Sequence, residues 1–253
     1  MDRSVQIKNV HFSYHESDHI LKNISLEIYQ NEIVSLLGPS GSGKSTLLNL
    51  VAGFYEASSG EIMINQKVVK SPGSDRGVVF QDLALFPWLT VQKNVEFGLK
   101  MQGTPKEDRS KKAQVMIGMV GLHGYENVPI QSLSGGMRQR VALARTLVTE
   151  PEVLLMDEPF SALDAQTRDV LQEELLKIHT KINTTTLLVT HSIDEAIYLS
   201  DRVVLLSKSG EIKHIERIDI DRPRDRTSEF YNKYQRSFYE LLKEEQMQKV
   251  GNK

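Results

Sequence analysis

The sequence has no cysteine among its 253 residues and a single tryptophan. No apolar run in it approaches the roughly 20 residues that cross a bilayer as a helix. Without thiols the chain forms no disulfide and no thiolate metal site, which suits a reducing compartment. Neither sign of charge is in excess: 31 Lys and Arg stand against 33 Asp and Glu, interspersed along the chain, for a net charge of −2 with histidine neutral. No basic stripe therefore advertises DNA or RNA, and nucleic acid is not an expected partner. No charged-then-apolar leader opens the chain. Any action at a membrane calls for an anchor supplied by something else. The length suffices for one large α/β domain, or for one domain carrying an inserted subdomain.

Against these absences stands Gly38-Pro39-Ser40-Gly41-Ser42-Gly43-Lys44-Ser45-Thr46, which fits G-x-x-x-x-G-K-[ST]. It lies between an apolar run, Ile33 to Leu37, and a helix-like segment, Thr46 to Ala52. Strand, glycine-rich turn and helix start form the context of a phosphate cradle. Glycines let backbone N–H groups converge on phosphate oxygens, and the helix presents its positive dipole end to the same anion. Lys44 is expected to reach the β- and γ-phosphates and the Ser45 hydroxyl to complete a Mg²⁺ shell. The alternative is a chance glycine-rich turn with a solvated lysine.

The hydrophobic pattern changes twice along the chain. Residues 1 to about 80 read as strands around that one helix; Ile24, Leu26 and Ile28 alternate, and Glu61-Ile-Met-Ile64 is a further strand. From about 83 to 147 the pattern is helical. Thr104-Pro105-Lys106-Glu107 predicts a helix start with Thr104 as N-cap, Pro105 at the first helical position and Glu107 closing a capping box, and Met116, Met119 and Val120 form a packing face. From 152 the β/α alternation returns. Val153 to Met156 and Thr186 to Val189 read as parallel strands covered on both faces, with Leu171, Leu175, Ile178 and Ile182 at helical spacing between them. Ser192-Ile-Asp-Glu195 predicts a second capping box. Phe230, Tyr234, Phe238 and Leu242, at four-residue steps, predict a terminal helix docked on its own domain, or less commonly a partner face. Residues 246 to 253 read as a frayed end.

The candidate chemistry falls at strand ends. Asp157, closing an apolar strand, is placed to hold Mg²⁺, and Glu158 to act as general base on an attacking water. The other reading of the pair is an acidic cap on the next helix. His191 follows a strand at the sheet edge where open α/β sheets bind ligands and can contact a γ-phosphate, although a lone histidine is more often structural. Gln81 ends another strand and can touch metal or water; alone it is a weak signal. In Leu133-Ser134-Gly135-Gly136-Met137, Ser134 reads as an N-cap, and two glycines after a cap lower helix stability by about 1 kcal/mol each. Bare N–H groups approaching a phosphate held by another subunit would account for that.

Taken in order, the loop at 38–46, Gln81, the 133–137 string, Asp157-Glu158, Ser161-Ala-Leu-Asp164 and His191 resemble the ATP-binding subunits of ABC transporters. The resemblance covers residues 5 to about 215. It implies a P-loop NTPase (RecA-like) core with an antiparallel β subdomain and a helical subdomain inserted at about 83–147, followed by a short helical tail at 216–253. It also implies ATP and Mg²⁺, and a head-to-tail dimer in which Ser134, Gly135 and Gly136 serve the nucleotide in trans. Asp164 would then lie in the loop linking the two sites, and Tyr14 would stack on adenine. Met137 departs from the family, where glutamine is commonest.

The strings Leu133 to Arg140 and Val79 to Trp88 look like the nitrate, sulfonate and taurine import branch. This implies a peripheral subunit on the cytoplasmic face of the membrane, with permease subunits as partners and, indirectly, a solute-binding protein. Leu85 to Trp88 is a docking candidate by the same analogy; Phe86 and Trp88 buried beneath the insert is the equal alternative. The rival function is a soluble ABC-type ATPase acting on nucleic acid, ribosomes or cofactor assembly.

Overall fold

The computed structural model describes residues 2–15 and 19–247, so the frayed end expected from 246 lies mostly outside the described residues. In chain order the elements are β1 (Arg3–Ser13), β2 (His19–Tyr29), β3 (Ile33–Leu37), α1 (Lys44–Ala52), β4 (Ser59–Ile64), β5 (Lys67–Val68) and β6 (Arg76–Val79). Helices α2 (Val91–Met101), α3 (Lys106–Met119) and α4 (Gly135–Leu147) follow, then β7 (Val153–Asp157) and α5 (Ala165–Ile182). The chain continues with β8 (Thr185–Val189), α6 (Ile193–Leu199), β9 (Arg202–Leu206), β10 (Ile212–Arg217) and α7 (Glu229–Met247). These elements gather into two compact units: the chain to Gly73 together with that from Thr185, and Ser74–Thr184.

In the first unit, an antiparallel sheet runs in the order β2-β1-β4-β5. Ile24, Leu26 and Ile28 on β2 face inward and are buried, as their alternation predicts. The second layer centres on β3, whose five residues are all buried. It pairs in parallel with β8 on one side and β9 on the other, with Leu36 opposite both Val189 and Val204. Continuous apolar runs belong in strands covered on both faces. Strand β10 adds antiparallel to β9. Helix α1 begins at Lys44, two residues earlier than the apolar pattern suggests.

The second unit pairs β6 with β7 in parallel, Val79 opposite Met156, and carries α2, α3, α4 and α5. Among the described residues between β6 and β7 there is no strand, only an isolated bridge from Thr90 to Pro129. The unit is broader than the 83–147 stretch because β6, β7 and α5 belong to it. The predicted start of α3 shifts by one residue. Pro105, with ψ 148°, is the cap itself and no side chain caps the helix. Thr104 is engaged elsewhere, its N–H donating to the Leu99 carbonyl to close α2 at 3.0 Å.

The tail helix docks on the predicted face except at its start, where Tyr231 rather than Phe230 is buried. Tyr231 and Phe238 are buried, Tyr234 and Leu242 half-buried, and Phe230 is 74% exposed. A helix turns in 3.6 residues, so a stripe at steps of four drifts off the contact line, and 231, 234, 238 and 242 follow it better. Phe238→Ala should therefore destabilise the protein by about 3–5 kcal/mol, while Phe230→Ala should stay within about 0.5 kcal/mol. Denaturant titration of the full chain measures both; equal losses would mean that the docking face lies elsewhere.

Candidate functional site

Where β3 ends, the chain wraps around a lysine. Lys44 opens α1 and is 6% exposed. Its Nζ donates to the carbonyls of Gly38 and Pro39, each at 2.9 Å. The turn depends on glycine at two points. Gly43, the N-cap, has φ 88°, and a Cβ there would fall 2.6 Å from the Leu21 side chain; at Gly38 it would fall 2.6 Å from the Leu206 carbonyl oxygen. Inside the turn the Ser42 hydroxyl is buried without a hydrogen-bond partner, an exception that calls for a missing partner. Thr46 is buried, while Ser40, Gly41 and Ser45 are exposed and Pro39 half-buried. An ammonium, a helix N-terminus and an orphaned hydroxyl in one turn suit an anion with many oxygens. Tyr14 stands beside it, half-exposed, with its Oη 3.3 Å from Thr46 Oγ1 and its ring edge-on to Phe12 and Tyr55. An exposed aromatic face beside a phosphate cradle suits a flat base.

Because β8 lies in parallel beside β3, the chain leaves both strands at the same edge, and His191 emerges where the glycine turn does. His191 is exposed, and its backbone is straddled by a short circuit of hydrogen bonds. Thr190 Oγ1 donates to the buried Glu195 carboxylate at 2.5 Å and accepts from the Ser192 N–H at 3.0 Å. Ser192 Oγ in turn accepts from the Glu195 N–H at 3.3 Å. The predicted capping box is thus half formed. Glu195 does not reach back to the Ser192 N–H, because Thr190 stands between them.

In the second unit, the pairing of β6 with β7 brings Gln81, Asp157 and Glu158 to one strand edge. Asp157 and Glu158 are half-buried and Gln81 is exposed. Glu158 has φ 44°, a left-handed conformation that a non-glycine residue adopts at a cost on the order of 1 kcal/mol. Its carbonyl is held by the N–H and hydroxyl of Ser161, at 3.2 and 3.0 Å. Just beyond Gln81, Leu83 and Ala84 are left-handed in succession, with φ 63° and 45°. Arg145, in the last turn of α4, grips both carbonyls, at 2.8 and 2.6 Å, and lies 5.6 Å over the Phe86 ring. Phe86 exchanges two hydrogen bonds with the buried Asn94, while Trp88 is 76% exposed. The two aromatics therefore divide, one packed and one presented. Neither Arg145 nor Asn94 carries a sequence signal of its own.

Ser134 caps α4, accepting from the Met137 N–H at 3.3 Å. Its two glycines have different reasons. A Cβ on Gly136 would fall 2.7 Å from the Thr167 methyl, so close packing of α4 on α5 explains that position. Nothing nearer than 3.7 Å opposes a Cβ on Gly135, so packing within the chain does not explain it. Asp164 caps α5 by accepting from the Thr167 N–H at 3.0 Å, which holds its carboxyl below the usual range. Among the described residues no group of three or more His, Asp or Glu forms a self-contained metal site. The Ser45 hydroxyl in the first unit, and the Gln81 amide and Asp157 carboxylate in the second, are each hard oxygen donors of the kind that Mg²⁺ takes.

A strand-turn-helix cradle around Lys44, a capped Ser-Gly-Gly helix and carboxylates at a strand edge define a nucleotide-hydrolysing cassette. The ABC transporter family matches residues 21–161, more than half of the chain, and the chain belongs to that family as one of its ATPases. It is 55% identical to an uncharacterized ABC transporter ATP-binding protein of Methanocaldococcus jannaschii, over 89% of this chain and 85% of that one. It is 46% identical to the taurine import ATP-binding protein TauB of Pseudomonas fluorescens, over 86% and 82% of the two chains. The nitrate import ATP-binding protein NrtD of Synechocystis is also 46% identical, over 82% and 80%. Among solved structures, a dimeric post-hydrolysis ATP-binding cassette bound to ADP and Pi superposes with a TM-score of 0.73 at 34% identity, covering 86% of this chain and all of that one. Among the described residues no helix is long and apolar enough to cross a membrane.

Replacing Arg145 with Met should release the strained turn after Gln81. Charge-assisted hydrogen bonds contribute about 1.5–3 kcal/mol each, so amide exchange across 83–86 should accelerate about tenfold or more. Unchanged protection there would show that the turn holds itself.

Proposed function

We propose that this chain is the energy-coupling subunit of an importer for a small solute of the taurine, sulfonate or nitrate kind. In this reading it works as a dimer on the cytoplasmic face of the membrane. The observation that carries it is a glycine turn folded around Lys44, in a chain 46% identical to subunits named for taurine and for nitrate import. The segment 1–215 forms the catalytic domain, with the helical part at about 83–147 facing the permease and 216–253 forming a short C-terminal helical tail docked on it. A solute-binding protein completes the system at the far side.

ATP is the substrate. Lys44 and the N–H groups of Gly38, Ser40, Gly41, Ser42, Gly43, Ser45 and Thr46, in the turn that Pro39 helps to shape, surround its phosphates, the Ser42 hydroxyl finds there the partner it lacks, and Tyr14 stacks on the adenine. Ser45, Gln81 and Asp157 would hold Mg²⁺, which would supply charge to neutralise the phosphates. Glu158 accepts the proton of the attacking water, Gln81 orients that water, and His191 hydrogen-bonds the γ-phosphate. Ser134, Gly135 and Gly136 of a second copy close on the same ATP, which supplies a reason for the glycine at 135 that packing within one chain does not. Asp164 lies in the turn that joins the two sites of the dimer. ATP then closes the dimer, hydrolysis opens it, and the permease follows.

Glu158→Gln should retain ATP binding and lower turnover at least about a hundredfold, so that with ATP and Mg²⁺ the mass doubles in solution. Normal hydrolysis with no dimer would overturn the roles of both Glu158 and Ser134. Lys44→Ala should abolish both binding and dimerisation. Extraction in detergent separates the import reading from its soluble rival: recovery with a polytopic membrane protein is expected, and recovery with ribosomes or nucleic acid would sink it.

A further inference from the structure

The segment after β10 does more than cover apolar surface. It is fastened to α6, the seven-residue helix that begins two residues after His191, at both ends of that helix. At the first turn, Tyr231, fully buried on α7, donates its hydroxyl to the Asp194 carboxylate at 2.7 Å, with the Asp194 carbonyl also 2.9 Å away. Arg226 pairs with the same carboxylate at 3.2 Å and lies 4.0 Å over the Tyr198 ring. Burial and the bond to Asp194 push the Tyr231 hydroxyl far above its ordinary pKa, so it stays a donor at any working pH.

At the last turn, the buried Arg224 guanidinium donates to the carbonyls of Ile197 and Ser200, the latter at 2.6 Å, and within its own segment to Ile218 and Ile220 at 3.2 and 3.0 Å. Arg222 donates to the Leu199 carbonyl at 2.5 Å. Terminal helix carbonyls have no partner within their own helix, and two arginines satisfy those of α6. Burial lowers Arg224 only to about 10, which leaves it charged at neutral pH.

A seven-residue helix has little stability of its own. What holds its start is the circuit Thr190–Glu195–Ser192 on one side and the Asp194 grip on the other, and His191 sits between the circuit's first and last members. We infer that residues 222–231 are positioning residues for ATP hydrolysis: by gripping α6 through Asp194 and its terminal carbonyls, they set where His191 stands against the γ-phosphate. This rests on the proposed role of His191.

The consequence is kinetic rather than merely structural. Loss of the Tyr231 hydroxyl leaves the phosphate cradle alone, so KM for ATP should stay within about twofold while kcat falls about five- to tenfold. The loss must pass through His191, so it should disappear in a His191→Gln background, where residual turnover is read by single-turnover assay.

The test uses the full chain with Tyr231→Phe, which keeps the ring and removes only the hydroxyl, and with Arg224→Lys as a second variant. Tyr239→Ala, on the exposed side of α7, is the control and should change nothing. A second readout needs no activity: the ¹³C-labelled imidazole resonance of His191, identified by its loss in His191→Gln, should move or broaden in Tyr231→Phe. Unchanged kcat with an unmoved resonance overturns the inference, and so do equal fractional losses of kcat in the wild-type and His191→Gln backgrounds. If His191→Gln itself hydrolyses ATP normally, the role given to His191 fails. The resonance alone then decides whether the tail positions that side chain: a shift upholds the grip, and none ends it.

Discussion

Strand β3 is short, buried along its whole length and paired on both sides, and that arrangement determines what its end can deliver. A strand with no exposed residue must be flanked, and β8 and β9 flank it in parallel. Parallel pairing forces the chain to leave each strand at the same edge, so the glycine turn and His191 are neighbours by topology before any side chain is considered. The start of β3 is tied as firmly. The Ile33 N–H donates to Asp201 at 2.8 Å, and the hydroxyls of Ser35 and Ser200, both buried, share a short hydrogen bond. The segment that ends α6 is thus anchored to the strand that feeds the phosphate turn. The second unit uses the same device, with β6 and β7 in parallel register and Gln81, Asp157 and Glu158 just past their ends.

How much of this a sequence reveals depends on how local the cause is. The turn at 38–46 is legible because glycine spacing, the lysine and the flanking apolar run all act within a dozen residues. The caps at Ser134 and Ser192 are legible for the same reason: each side chain reaches a backbone N–H three residues on. Asp164 caps α5 in the same way, although the resemblance implies for it only a place in a linking loop. The left-handed residues Leu83, Ala84 and Glu158 are not legible, since none is a residue type that favours positive φ. They are held by partners that the local pattern cannot announce, Arg145 some sixty residues away for the first two and the Ser161 turn for the third. The tail stripe illustrates a third case. The helix and its docking were readable, but the contact face was misdrawn by one residue at its start because a four-residue step is not the period of the helix.

The two glycines after Ser134 separate packing from function more sharply than the motif does. At Gly136 a side chain would collide with Thr167, so the residue is accounted for by the approach of α4 to α5. At Gly135 there is room, and a glycine near a helix start where alanine would fit lowers stability without a compensating contact inside the chain. A local rule broken without local gain marks a place where something outside the chain is expected. The second copy proposed above is such a partner.

The tail poses the complementary question: why fasten a helix with buried polar groups when apolar packing already holds it? Tyr231 and Phe238 bury enough ring surface to dock α7, but apolar contact is non-directional and tolerates sliding. Hydrogen bonds to Asp194 and to the last carbonyls of α6 do not, because a displacement of about 1 Å leaves buried donors unpaired. The tail therefore fixes α6 in one register rather than merely covering it. A helix so short would otherwise fray at both ends, and its first residues follow directly on His191. Fixing that register costs desolvation of two arginines and a tyrosine, an outlay that apolar docking alone does not require. It is accounted for if the group at the start of α6 must be held to a fraction of an ångström, as a hydrogen-bond donor to a transferring phosphate must be.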